Sequence, residues 1–247
     1  MQKVLKKFIN AMRYAPVMEL LRRIRQKAKH RKQLKEWYDK GCPVPPPHIV
    51  KQQYLRSYAA RYKLRTFVES GTYRGDMVEA MKDSFDKVYS IELSRELFLN
   101  CCRRFALERH VELVHGDSGV ELGNIVRTIN RAALFWLDGH YSGGVTTKGS
   151  KDTPIKEELQ HILESDEPGH VIIIDDARFF GSDPFYPSVD ELREFIFSRR
   201  TDVEISIKDD SIRVTPRYYD HKLDSRKNSG PPANISQADQ PAGDKDL

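Results

Sequence analysis

The sequence predicts an α/β fold: a doubly wound, mostly parallel seven-stranded sheet with its last strand antiparallel, preceded by a helical N-terminal extension. Three observations lead to it. From residue 65, short apolar segments alternate five times with amphipathic ones, and five such units require a parallel sheet covered by helices on both sides. The segments at 134–137 and 171–174 are apolar without a break, as strands buried on both faces are. The region closes with "DVEISIKDD" and "SIRVTP", which pattern as an antiparallel pair around a tight Asp-Asp-Ser turn.

Residues 1–40 set Val4, Phe8, Met12, Val17, Leu20, Leu21 and Ile24 near helical spacing, so one or two amphipathic helices are expected there. "CPVPPPHIVK" then interrupts the helix, because proline lacks the amide donor and restrains its predecessor. Residues 1–50 thus read as an extension ending in a proline-rich linker. "KQQYLRSYAARY", 51–62, suggests a further helix and opens the main domain, 51–216. Within it "RTFVES" precedes a helix from Asp76 to about Ser84, with Asp76 as N-cap. "KVYSIEL" precedes a helix from Ser94 to about Leu107, and "VELVHGDS" precedes "GVELGNIVRTIN". "AALFWLDGH" leads through a glycine-rich loop, 141–152, to a helix with Thr153 as N-cap and Pro154 first. His161, four residues after Glu157 on that helix, suggests ordinary surface pairing. "HVIIIDD" precedes "PSVDELREFIFSRR". After Leu223 hardly an apolar residue follows, so 217–247 reads as a disordered tail.

The 247 residues carry a net charge of +5, unevenly placed. Residues 1–40 hold thirteen Lys and Arg against three acids, a balance of +10, which leaves about −5 for the rest. Such a basic helical arm, residues 1–35, suits an anionic membrane surface or a partner protein, or is simply a solvated helix. Nucleic acid is disfavoured, since "RRIRQKAKHRKQLK" has no aromatic residue for bases to stack on. No run of 18 apolar residues occurs, and the N-terminus has no unbroken apolar stretch of the secretory kind. Three cysteines do not form a disulfide framework, so a cytoplasmic setting is expected.

The stretch "TFVESGTYRGDMVEAM", 66–81, runs from strand through two glycines into a helix. In an open parallel sheet, ligands sit beyond the carboxyl ends of the strands, where strand order reverses. Gly71 lets the backbone turn tightly, and Gly75 lets the next helix begin close by. Polar residues end the following strands: Glu92 lies 21 positions after Gly71, Asp117 follows the third strand, and Asp138 and His140 follow the fourth. Glu92 suits ribose hydroxyls and Asp117 an adenine amino group, although either acid alone could merely cap the helix behind it. There is no Gly-Lys-Ser/Thr, and Tyr73 stands where a dinucleotide fingerprint needs its second glycine. Glu69, two places before Gly71, repels phosphate but suits an ammonium or sulfonium ligand.

"FVESGTYRGD", "VYSIEL", "VHGDS" and "FWLDGH", in that order, resemble the class I S-adenosylmethionine-dependent methyltransferases over about residues 64–215. The resemblance implies a Rossmann-like sheet with its last strand reversed and S-adenosyl-L-methionine as cofactor. Glu69, Gly71, Thr72 and Gly75 would then form the loop around the methionine end, with Glu92 on the ribose and Asp117 on the adenine. Asp138, Asp175 and Asp176 end neighbouring strands in that fold, and their carboxylates suit Mg²⁺. This pattern is similar to the metal-dependent sugar O-methyltransferases of the macrocin type, in which His140 would correspond to a base and the acceptor would be a glycan or small hydroxylated molecule. The spacing from Asp138 to His140 is short, one residue between them. Arg178 is expected to be a salt-bridge partner of the acids. Two other readings stay open: an NAD-dependent oxidoreductase on the same kind of sheet, and a non-catalytic cofactor-binding module.

Overall fold

The computed structural model describes residues 21, 24–138 and 153–217. The beginning of the basic arm, His140, the loop at 141–152 and the tail from 218 lie outside the described residues. Helix α1, residues 24–39, is exposed along most of its length apart from Trp37, whose Nε1 donates to Pro43 O at 2.8 Å. Among the described residues no helix is long and apolar enough to cross a membrane.

Helix α2 is His48–Tyr62, three residues longer at its start than the sequence suggested. Pro47 is its extended N-cap, so the proline run launches the helix rather than only separating it from the arm. A residue without an N–H loses nothing at a helix start. The sheet is built from β1 (Thr66–Ser70), β2 (Lys87–Glu92), β3 (Val111–His115), β4 (Leu134–Leu137), β5 (Val171–Ile174), β6 (Val203–Lys208) and β7 (Ser211–Pro216). Between them run α3 (Asp76–Met81), α4 (Arg95–Arg104), α5 (Ser118–Val126), α6 (Ile155–Leu163) and α7 (Val189–Phe197). The strand order is β3-β2-β1-β4-β5-β7-β6, with β1 to β5 mutually parallel and β7 antiparallel to both neighbours. That is the expected seven-stranded sheet with one reversed strand. Order reverses beside β1, whose neighbours are β2 on one side and β4 on the other.

Side chains alternate across the strands. Val68, Phe135, Leu137, Ile172 and Ile174 face α5, α6 and α7, whose Leu122, Leu159, Ile162, Leu192 and Ile196 complete one core. On the opposite face Trp136 meets Tyr54 of α2, ring centroids 6.1 Å apart.

Some local expectations shift. The N-cap of α3 is Gly75, and Asp76 is the first helical residue, its Oδ1 accepting from Arg104 Nη1 at 2.8 Å. Helix α6 starts at Ile155 with Pro154 as N-cap, while Thr153 Oγ1 accepts only weakly from Ile155 N at 3.4 Å. His161 is no surface pair: its Nε2 donates to Gly119 O of α5 at 2.9 Å, and its ring fills the space beside Gly123. The β6–β7 turn is the two residues Asp209 and Asp210, both at positive φ (50° and 58°), with Ser211 already in the strand. Two left-handed residues match the twist of a hairpin.

Leu159 has no exposed surface. Leu159→Ala is expected to lower stability by about 2–5 kcal/mol, read from urea unfolding, through lost transfer energy and the cavity left between α6 and the sheet.

Candidate functional site

At the carboxyl ends of β1 and β4, where strand order reverses, the backbone is shaped first by the bend after β1. Gly71 and Gly75 have φ of 84° and 75°, in the left-handed region. A Cβ on Gly75 would lie 2.6 Å from Phe105 Cε2. Gly71 N and Thr72 N both donate to Ile91 O, at 3.0 and 3.1 Å, so the bend is sewn to β2. Tyr73 follows at φ 49°, a conformation that side chains rarely adopt. What holds it there is Glu92, whose Oε2 accepts from Tyr73 N at 2.7 Å while Oε1 accepts from Ser94 N at 2.8 Å. Burial raises the Glu92 pKa above the ordinary carboxylate value, and those backbone donors pull against the rise. Glu92 is therefore a brace for the bend as well as an acid at the strand end.

Glu69 is buried on the same side. Ser90 Oγ donates to its Oε2 at 2.6 Å, and Thr72 Oγ1 lies 2.6 Å from Ser90 Oγ. Burial, with the charges of Asp138, Glu92 and Asp76, pushes the Glu69 carboxyl well above its ordinary value, against the pull of Ser90. Asp117 caps α5, Oδ1 accepting from Gly119 N at 2.9 Å, so the capping alternative for this residue is present at the end of β3.

Asp138, Asp175 and Asp176 converge as their strand positions suggested: their oxygens lie within 4.8 Å of one another. Asp138 N donates to Ser70 O at 3.2 Å, which ties this end of β4 to the bend of β1. A cation of the chain itself reaches the cluster. Lys51 Nζ of α2 hydrogen-bonds Asp175 Oδ2 and lies 3.9 Å from Asp176 Oδ1. Arg178 Nη1 bonds Asp176 Oδ1 at 2.7 Å and also Asp210 Oδ2, a residue of the hairpin turn. Burial and the neighbouring Asp138 raise the Asp175 pKa, and Lys51 opposes the rise. Burial alone would lower the Lys51 pKa, yet the three acids outweigh it and hold the ammonium above its ordinary value. The metal test is therefore mixed. Asp175 Oδ1 is buried without a hydrogen-bond partner among the described residues, as a ligand atom could be, but Asp175 Oδ2 and Asp176 Oδ1 already accept from Lys51 and Arg178.

Sequence reading did not single out five residues here. Lys51 and His48 lie three apart on the first turn of α2, a spacing that shares one helix face. That signal becomes legible once the helix is started at Pro47. His48 has its Nδ1 2.8 Å from Gln52 Nε2; burial of the ring lowers its pKa, and Asp76 and Asp138 pull against that fall. Tyr186 packs on Phe179 and Phe180 with centroids 5.7 and 5.1 Å away, and burial, with Asp176 and Asp138, raises its hydroxyl pKa. Glu158 of α6 is buried beside Ser118 and Ser70, its Oε1 without a partner among the described residues. Asp210 looked like a turn residue only. His140, expected as a base, lies outside the described residues.

No family model matches this sequence, and no curated protein matches it. Among solved structures, it is similar to the O-methyltransferase TomG from Streptomyces achromogenes, involved in tomaymycin synthesis and crystallised with SAM. That likeness has a TM-score of 0.51 at 19% identity, covering 76% of this chain and 88% of that one. It is also similar to an O-methyltransferase from Bacillus cereus in complex with SAH, at TM-score 0.52 and 15% identity, covering 76% and 90%. The seven-stranded sheet with its reversed strand is the class I methyltransferase fold.

Two outcomes follow from the site's geometry. Gly75→Ala puts a side chain at positive φ against Phe105, and is expected to lose about 1–3 kcal/mol in urea unfolding. For Glu158, burial pushes the pKa from 4.5 to about 7, against Ser118 and Ser70 and with help from Asp117. Between those two values the unfolded chain has released a proton that the folded one keeps, so stability falls as pH rises and then levels off. Glu158→Gln is expected to exceed the wild type by about 1–3 kcal/mol at pH 8, with the gain vanishing toward pH 4.5.

Proposed function

We propose that this chain is an S-adenosylmethionine-dependent methyltransferase that acts on a hydroxyl oxygen of a small-molecule or glycan acceptor. The observation that carries the reading is the bend at Gly71 and Gly75, flanked by the buried carboxyls of Glu69 and Glu92. A diphosphate pressed against that bend would bring like charges together in a dry site, at high cost. A cationic ligand instead would favour the ionised form of Glu69, whose pKa burial chiefly holds high, with the charges of Asp138 and Glu92 adding to it.

Glu69, Gly71, Thr72 and Gly75 would line the methionine end, and S-adenosylmethionine would supply an electrophilic methyl group there. Glu92 would take the ribose with the lone pairs left after its two backbone bonds, since a carboxylate offers about four acceptor sites. Asp117 would take the adenine amino group with what its cap leaves over. Transfer from a sulfonium is an in-line displacement, so the remaining tasks are to align the acceptor and exclude water. Tyr186, Phe179 and Phe180 offer an aromatic wall beside Asp176 for that purpose. A hydroxyl acceptor must also lose its proton. Asp138 and His140 are the proposed catalytic pair, His140 as the base.

Titration calorimetry tests the cofactor directly. S-adenosylhomocysteine is expected to give heat and NAD⁺ none, and Glu92→Ala is expected to weaken the former by about tenfold or more, through loss of the brace on Tyr73. Heat from NAD⁺ alone would overturn the reading in favour of an oxidoreductase.

A further inference from the structure

We propose that the ε-ammonium of Lys51 is the resident cation of the Asp138–Asp175–Asp176 cluster, so that a divalent ion enters only by displacing it. The consequence for the proposed reaction, on which this step rests, is that methyl transfer runs without a metal.

Geometry carries the inference. Lys51 Nζ hydrogen-bonds Asp175 Oδ2, and the two side chains are only 14% and 1% exposed. The ammonium also sits 5.7 Å from the Trp136 ring centroid, where the face of the indole attracts a cation. The helix that delivers it is firmly seated. Leu55 is fully buried, and Tyr54 is held between Trp136 at 6.1 Å and the Arg213 guanidinium at 4.5 Å. Asp176 Oδ1, the other near oxygen, is bonded by Arg178 at 2.7 Å. A divalent ion such as Mg²⁺ wants six oxygens at close to octahedral angles. Here Asp175 Oδ2 and Asp176 Oδ1 already accept from Lys51 and Arg178, so two of the three carboxylates that an ion would need each hold a cation of the chain itself. An ion seated there would have to compete with both for those oxygens. Removing Lys51 would strand buried carboxylates, and a divalent ion is then the natural replacement.

The test uses full-length wild type, Lys51→Met and Lys51→Arg, with free Mn²⁺ followed by electron paramagnetic resonance. Wild type and Lys51→Arg are expected to leave Mn²⁺ largely free, and Lys51→Met to bind it roughly tenfold more tightly or better. Equal binding by wild type and Lys51→Met overturns the proposal. If Lys51→Met does not fold alone, rescue of its folding by Mn²⁺ supports the proposal and failure of that rescue overturns it. S-adenosylhomocysteine calorimetry on the wild type, with and without EDTA, runs beside it. Unchanged affinity is expected, and affinity lost on chelation overturns the proposal. Absence of heat in every arm would instead strike the cofactor reading while leaving the Mn²⁺ comparison intact.

Discussion

Burial of carboxylates along one edge of the sheet is the constraint on which the rest of the site depends. Glu69, Glu92, Glu158, Asp175 and Asp176 are all buried, and they crowd the carboxyl ends of the parallel strands or the helix beside them. A carboxylate taken out of water must be hydrogen-bonded, paired with a cation or protonated. All three solutions are in use. Glu92 collects backbone amides, Asp175 and Asp176 collect Lys51 and Arg178, and Glu69 and Glu158 have their pKa values raised.

The same constraint explains why distant parts of the chain meet there. Lys51 and Asp175 are 124 residues apart, and Arg178 and Asp210 are 32 apart. The hairpin turn takes part because Asp210 accepts from Arg178 N at 3.0 Å as well as from its guanidinium. The reversed strand β7 thus contributes Asp210 through its turn and buries Arg213 under Tyr54. Charge compensation, added to strand pairing, fastens the hairpin and α2 to the centre of the sheet.

The glycine bend shows a second form of economy in the fold. Tyr73 in the left-handed region is a strained residue, and such strain persists only where surrounding bonds over-determine it. Here Glu92 below, Ile91 O beside and Phe105 behind leave the bend little freedom. The amides of Gly71, Thr72, Tyr73 and Gly75 are all spent on bonds within the protein, which is what keeps the bend rigid.

Much of this was legible in the sequence, because the relevant signals are local. Uninterrupted apolar runs mark β4 and β5, the two glycines mark the bend, and acids at strand ends fall on one edge as soon as the strands are parallel. The convergence of Asp138, Asp175 and Asp176 follows from β4 and β5 being neighbours, which the fold class implies. What tertiary structure alone decided is which cation meets those acids and which side chains brace the bend. Lys51 stood at the seam between a proline-rich linker and the expected helix at 51–62, and Asp210 looked like a turn residue. His161 looked like a surface pair until α6 packed on α5. Those assignments depend on how helices and a hairpin dock across the sheet, and docking is governed by total shape and by compensation of buried charge. Neither quantity has a period or a spacing along the chain.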